Sequence, residues 1–231
     1  MTTHAVYDSR VKHPPRALAR PLPVGRALTA EDANAFPADP YWTYSVIDGA
    51  LVAESPGHPV TAEDLEAFPQ QPQWKYEVIG GTLIVSRNTP SMRHQDCALS
   101  LALLFRQNCP PEFKVVIAPF EYRPHDVHSV QPDLLVVRRP GAENWLTEPP
   151  VLVAEVLSPS TRRFDLKDKR ELYRRTGVEH YWIVDPAGPS VEALKLVDGD
   201  YAVLAVAAAG QVMEVSEPLP VRFDPKVLLD G

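Results

Sequence analysis

Residues 151–157 read VLVAEVL, and residues 131–137 read QPDLLVV. Short runs of aliphatic and β-branched residues like these are typical of strands in the buried middle of a mixed sheet. Each run also carries one acid, Glu155 in the first and Asp133 in the second. Burying a carboxylate without a partner costs several kcal/mol, so a central strand that contains an acid needs a cation beside it. The two runs therefore predict a sheet with a charged site on it.

The flanking sequence predicts helices around this sheet. Residues 91–107 place apolar side chains at helical spacing, and residues 165–175 form a charged helix that ends before Gly177. The other predicted strands are KVVIAPF (114–120), also in the buried middle, HYWIVDP (180–186) and the hairpin SVEALKLVDGDYAVLAV (190–206), which turns at Asp198 and Gly199. We predict an α/β (α+β) fold with a mixed β-sheet flanked by helices.

An internal repeat precedes this region. Residues 29–51 match residues 61–83 in 14 of 23 positions without a gap, so a segment of the chain was duplicated. Each copy predicts a helix that starts at a threonine with an acid three residues later, followed by two strands around a tight glycine turn. The second copy has Glu77 where the first has Ser45. The first copy therefore keeps the packing residues and lacks this acid.

The repeat suggests three domains. Residues 1–28 combine prolines with basic residues and show no regular period, which predicts a poorly ordered leader. Residues 29–60 are a degenerate copy of the helix–hairpin element. Residues 61–231 form the main domain.

Composition narrows the class of protein. The chain has 231 residues with 30 acids against 23 lysines and arginines, a net charge of -7. Such a charge argues against a simple nucleic-acid coat but not against an enzyme that acts on nucleic acid. No apolar run approaches the roughly 18 residues of a membrane span, and the two cysteines are expected to be reduced. We expect a cytoplasmic protein that does not contact membranes.

Common catalytic motifs are absent from the sequence. It contains no glycine-rich phosphate loop, no GxSxG, no HExxH and no CxxC, which excludes P-loop ATPases, elbow-type hydrolases, zincins and zinc ribbons. What remains is a set of strand acids, Glu77, Asp133 and Glu155. A single acid of this kind is explained by an ion pair with a buried arginine, or by an edge strand that turns the acid to water. Three such acids with a lysine-bearing helix favour a divalent metal site.

The chain resembles the Uma-type ("Uma two") endonucleases of the PD-(D/E)XK restriction-endonuclease-like superfamily over about residues 61–197. The resemblance is carried by QPDLLVV, VLVAEVLSPST, DLKDKRELY, GVEHYWIVDP, YEVIGGTL and His94. It implies a restriction-endonuclease-like nuclease domain over residues 61–231. It also implies that Asp133 and Glu155 bind Mg²⁺ or Mn²⁺, with Glu77 as an additional acid and metal ligand.

The resemblance further implies a catalytic lysine near the scissile phosphate. In the superfamily this lysine lies two residues after the glutamate, but that position here is Leu157. The family places a lysine on the next helix, where Lys169 matches. Asp165, Lys169 and Tyr173 are spaced four residues apart and share one helix face. The alternative is a solvated Lys169 that pairs with Asp165.

Three more residues are candidates for contact with the substrate. His94 matches a family position on the first long helix, and its alternative role is to cap the start of that helix or to make a hydrogen bond. Arg162 and Arg163 precede the Lys169 helix and are candidate phosphate contacts, or simply exposed charges.

These observations lead to competing functions. The first is a divalent-metal-dependent endonuclease that hydrolyses DNA phosphodiester bonds, expected from the superfamily to be a homodimer. The second is a catalytically weak or inactive nuclease fold that serves as a DNA- or protein-binding module. The intact acids favour the first, whereas the acidic charge and the lack of a target-recognition domain favour the second. A purely structural dimerisation module would leave the strand acids unexplained.

Overall fold

The computed structural model describes residues 14–141 and 143–229. This part of the chain divides into two compact units. The first takes the residues up to Asn88 together with His125–Ser129, and the second takes Thr89–Pro124 and the residues from Val130 onward.

The first unit contains both copies of the repeat. Its elements are a 3₁₀-helix (Arg16–Ala19), α1 (Ala30–Ala35), β1 (Thr43–Ile47), β2 (Ala50–Glu54), α2 (Ala62–Ala67), β3 (Trp74–Ile79) and β4 (Thr82–Arg87). The described strands of this unit form one antiparallel sheet in the order β1-β2-β4-β3. Pairing of β2 with β4 joins the two copies, so the duplicated hairpins share a single sheet.

The same capping interaction starts both repeat helices, as the sequence predicts. In the first copy the Thr29 side chain accepts from the Asp32 backbone N–H, while the Asp32 carboxylate accepts from the Thr29 backbone N–H. Thr61 and Asp64 repeat this arrangement in the second copy. This reciprocal pair of hydrogen bonds, a capping box, satisfies backbone donors that have no partner within the helix.

Glycine is required at one position in each hairpin turn. Gly49 and Gly81 have positive φ angles of 85° and 79°. A Cβ on Gly81 would lie 2.5 Å from Pro59 Cβ, and the Gly49 equivalent would lie 2.6 Å from Ala27 Cβ. These two positions must therefore be glycine, because a side chain there would collide with the preceding chain segment.

Residues 14–28 belong to the segment for which the sequence predicts a poorly ordered leader. In the structure Leu18, Leu22 and Leu28 are buried in the first unit's core, and Leu22 N–H donates to the Gln71 side chain at 2.8 Å. Isolated leucines among prolines give no periodic signal, so only tertiary packing reveals their role. Residues 1–13 of the predicted leader lie outside the described residues.

The second unit is built on a larger, mixed sheet. Its elements are α3 (Met92–Gln107), β5 (Phe113–Ile117), β6 (Glu121–Tyr122), β7 (Leu134–Arg138), β8 (Trp145–Leu146), β9 (Leu152–Val156), a π-helical turn (Phe164–Lys169), α4 (Arg170–Thr176), β10 (His180–Asp185), β11 (Ser190–Val197), β12 (Asp200–Ala208), β13 (Met213–Val215), β14 (Val221–Phe223) and a 3₁₀-helix (Pro225–Leu228). Six of the described strands pair in the order β12-β11-β10-β9-β7-β5, with β9 and β10 parallel. The predicted α+β fold with a mixed sheet flanked by helices is confirmed.

The sheet places β7 and β9 in its interior, as the sequence predicts, but β5 lies at its edge. Strand β5 is the last in the strand order, and of its residues only Phe113 is buried while Ile117 is exposed. The prediction that this run lies in the buried middle of the sheet is wrong, because a short β-branched run has the same sequence pattern in an edge strand as in an interior strand.

At strand β9 the two faces of the sheet differ, because one is apolar and the other carries a charge. Ala154 and Val156 join the core formed with α3, where Phe105 contacts Trp182 edge-on at a ring-centroid distance of 5.1 Å. Successive side chains on a strand point to opposite faces, so Glu155 points away from this core.

No helix in the described ranges is long and apolar enough to cross a membrane. Cys97 and Cys109 are free cysteines.

The repeat offers a matched test of the turns. We expect Gly81→Ala to destabilise the protein by about 2 kcal/mol or more, because it adds left-handed strain to a close contact with Pro59. Gly80→Asp should cost less than about 1 kcal/mol, since Asp48 occupies this turn position in the first copy with φ of 50° and nothing lies within 4 Å of a Cβ at Gly80. Urea unfolding of both variants measures the difference, and equal losses would contradict it.

Candidate active site

Asp133 lies immediately before β7, beside the end of β9. Its Oδ2 accepts a hydrogen bond from the Val156 backbone N–H at 2.8 Å and lies 3.3 Å from His94 Nε2 on α3. The Asp133 side chain is 18% exposed, so this carboxylate reaches solvent. The backbone contact fixes its position relative to the β9 strand.

Glu155 is the last residue but one of β9, and only 2% of its surface is exposed. Its Oε1 accepts from the Tyr173 hydroxyl at 2.7 Å and lies 3.1 Å from Lys169 Nζ. Its Oε2 lies 3.4 Å from the Asp133 backbone nitrogen. The cation that this acid was predicted to need is therefore a lysine. The alternative of an edge strand is wrong, because β9 lies between β10 and β7 inside the sheet.

The Lys169 helix begins as a π-helical turn and continues as α4. Lys169 is 1% exposed and contacts the carboxylates of Glu155 and, at 3.2 Å, Asp165. The Thr161 hydroxyl donates to Asp165 Oδ2 at 2.7 Å. The predicted shared face of Asp165, Lys169 and Tyr173 is confirmed, and a solvated Lys169 is excluded.

We call this group the Glu155 cluster and define it as His94, Asp133, Glu155, Asp165, Lys169 and Tyr173. Its surroundings are aromatic, because Tyr181 packs against Tyr173 at a ring-centroid distance of 5.1 Å. Burial, followed by the charges of Glu155 and Asp165, raises the pKa of Tyr181 well above its usual range. Burial and then the Asp133 charge also raise the pKa of the Cys97 thiol to about 12, which favours the protonated thiol over the thiolate.

The donor set at this site suits a hard divalent cation. Within residues 14–141 and 143–229, no group of three or more His, Cys, Asp or Glu side chains has the geometry to hold a metal ion. Magnesium, however, is commonly bound through one or two carboxylates, with water or phosphate oxygens as its other ligands. Asp133 and Glu155, joined through a backbone contact at the end of neighbouring strands, supply two such carboxylates.

A family model described as "Putative restriction endonuclease" matches residues 62–228. The chain belongs to this family, Uma2. No curated protein matches the chain.

A solved structure supports the same fold. It is described as "a putative nuclease belonging to DUF820" from Anabaena variabilis ATCC 29413, and it superposes with a TM-score of 0.58 at 17% sequence identity. The match covers 74% of this chain and 98% of the other. The restriction-endonuclease-like fold predicted from the sequence is therefore confirmed for this Uma2 family member.

Glu77 lies in the first unit, on β3, and is buried. Its carboxylate lies 3.2 Å from Lys75 Nζ on the same strand. In the first copy the corresponding positions are Thr43 and Ser45, so the pair differs between the copies as a unit. The first copy therefore lacks both the acid and the lysine that pairs with it.

The remaining predicted residues lie in the second unit. His94 does not cap α3, because Ser91 does so by accepting from the His94 backbone N–H at 3.2 Å. Arg162 Nη1 donates to Asp185 Oδ2 at 2.7 Å, and Arg163 is exposed. Both arginines thus lie at the start of the charged helix, and Arg162 is paired with Asp185.

Three participants received no site role from the sequence: Asp165, Tyr173 and Thr161. Asp165 was considered only as a possible ion-pair partner of Lys169. Tyr173 was recognised as sharing the Lys169 face, and its spacing from Lys169 could have suggested contact with the same acid. Thr161 was missed, because a hydroxyl in a serine- and threonine-containing loop carries no distinguishing pattern.

Lys169 should contribute strongly to folding. Lys169→Met leaves two buried carboxylates without their shared cation, so we expect a loss of about 3–5 kcal/mol in the free energy of unfolding. Lys167→Met, on the exposed side of the same helical turn, should change it by no more than about 0.5 kcal/mol. Urea denaturation at pH 7 measures both, and equal stability of the two variants would contradict the buried role.

Proposed function

We propose that this chain is a divalent-metal-dependent endonuclease that hydrolyses phosphodiester bonds of DNA, with Mg²⁺ or Mn²⁺ as its cofactor. The observation that carries the proposal is the meeting of Asp133 and Glu155 beside the buried ammonium of Lys169. Carboxylates for a cation and a fixed positive charge are the groups that phosphodiester hydrolysis needs. Membership in the family described as "Putative restriction endonuclease" supports the same reaction class.

Asp133 and Glu155 would hold the cation. When bound, such an ion lowers the pKa of a water ligand and neutralises charge that develops on phosphoryl oxygens. The chain's own contribution is preorganisation: the Val156 N–H fixes Asp133, and Lys169 with Tyr173 fixes Glu155. Because these donors are already in place, little reorganisation is needed during the reaction.

Lys169 is the proposed catalytic lysine. Two carboxylates hold its ammonium in an environment with little water, where a positive charge acts strongly on a developing negative charge. It would stabilise the phosphoryl group or orient the attacking water. His94, at 3.3 Å from Asp133, and the exposed Arg162 and Arg163 are proposed substrate contacts.

Burial of Lys169 also favours a second candidate function. A lysine that is 1% exposed and engaged by Glu155 and Asp165 has its charge balanced within the protein. In this alternative the nuclease fold serves as a DNA- or protein-binding module with little or no catalysis. Cleavage assays separate the two functions directly.

Metal binding and cleavage should depend on Asp133 and Glu155 together. We expect millimolar Mn²⁺ to raise the melting temperature of the parent by mass action, and Asp133→Asn or Glu155→Gln to remove this rise. The same variants should nick supercoiled plasmid at least about a hundredfold more slowly. Asp168→Asn, the same change one residue before Lys169, is the control and should behave like the parent. An undiminished response to Mn²⁺ in both acid variants would refute the site.

The repeat provides a sharper test for Glu77. Glu77→Gln deprives Lys75 of its carboxylate partner and should cost about 1–3 kcal/mol of stability. The double variant Lys75→Thr, Glu77→Ser reproduces the residues of the first copy and should recover much of that loss. Since we propose Glu77 as an additional acid in the chemistry, neither variant should nick plasmid at the parent rate. Parent-like cleavage by the stable double variant would assign Glu77 a structural role only.

A further inference from the structure

The Tyr173 hydroxyl and the Lys169 ammonium share one acceptor. Tyr173 donates to Glu155 Oε1 at 2.7 Å, and Lys169 Nζ lies 3.1 Å from the same atom. The Tyr173 ring is fully buried and packs edge-on against Tyr181. Its hydroxyl is therefore held in place by the packing of a rigid ring.

The two donors make the oxygens of the Glu155 carboxylate unequal. Oε1 receives the phenol and the ammonium, whereas Oε2 lies 3.4 Å from the Asp133 backbone nitrogen. Lys169 also contacts Asp165, and its flexible side chain can follow a rotating carboxylate. The phenol cannot follow in this way, so it defines the orientation of Glu155.

We propose that Tyr173 is a positioning residue that holds Oε1 of Glu155 and thereby turns Oε2 toward Asp133, the other proposed cation ligand. The effect of this positioning on metal binding rests on the proposed function, whereas the orientation of Glu155 by Tyr173 does not. Groups that hydrogen-bond to metal ligands typically change metal affinity by about 10–100-fold.

Tyr173→Phe removes the hydroxyl and keeps the ring. The matched control is Tyr201→Phe, because Tyr201 is also buried and its hydroxyl donates to the Val178 carbonyl at 2.9 Å. Both variants lose one buried hydrogen bond, and the melting temperature should fall further in Tyr173→Phe because its acceptor is a carboxylate rather than a neutral carbonyl. Crystal structures of the metal-free variants report the orientation of Glu155, and calorimetric titration with Mn²⁺ reports affinity.

We expect the Glu155 carboxylate to rotate in Tyr173→Phe and the Mn²⁺ affinity to fall about 10–100-fold, with neither change in Tyr201→Phe. An unmoved Glu155 overturns the positioning role, and so does parent-like Mn²⁺ affinity despite rotation. Unfolding of Tyr173→Phe alone shows a structural role instead. If the parent itself fails to bind Mn²⁺, the proposed metal chemistry is wrong, and the crystal structures still decide the role of Tyr173.

Discussion

The ion pair between Glu155 and Lys169 is the interaction around which the second unit is organised. Both side chains are almost completely buried, and removing two such charges from water is costly unless each finds good partners. The structure supplies them through the Tyr173 hydroxyl on Glu155 and the Asp165 carboxylate on Lys169. An interior strand can carry an acid only because a helix delivers a cation to that face of the sheet.

A π-helical turn begins the helix that carries these groups. Phe164–Lys169 forms this turn immediately before α4, and single π turns within helices are often found at functional sites. The Tyr181 hydroxyl, from β10, donates to the Asp165 backbone carbonyl at 2.9 Å. The helix is thus attached to the sheet by its backbone as well as by its charges, which keeps Lys169 aligned with Glu155.

The duplicated element shows how charge is changed without loss of a fold. Both copies keep the capping box, the glycine turn and the aromatic packing residues, and their strands join in one sheet. The Lys75 and Glu77 pair occurs only in the second copy, where the first has Thr43 and Ser45. A strand tolerates either an uncharged pair or an ion pair at these positions, whereas a single buried charge would be destabilising.

The sequence by itself determined the class of fold and pointed to most members of the Glu155 cluster. Apolar runs gave the interior strands, helical spacing gave the shared face of Asp165, Lys169 and Tyr173, and the expense of burying Glu155 demanded a cation. These features are local or follow from the energetics of a single charge. Other features depend on which segments meet, and only the tertiary structure decided them. It placed β5 at an edge, packed Leu18 and Leu22 into a core, and paired Glu155 with a lysine 14 residues away. A local pattern cannot specify such contacts, because the free energy that selects them comes from burial shared by residues distant in the chain.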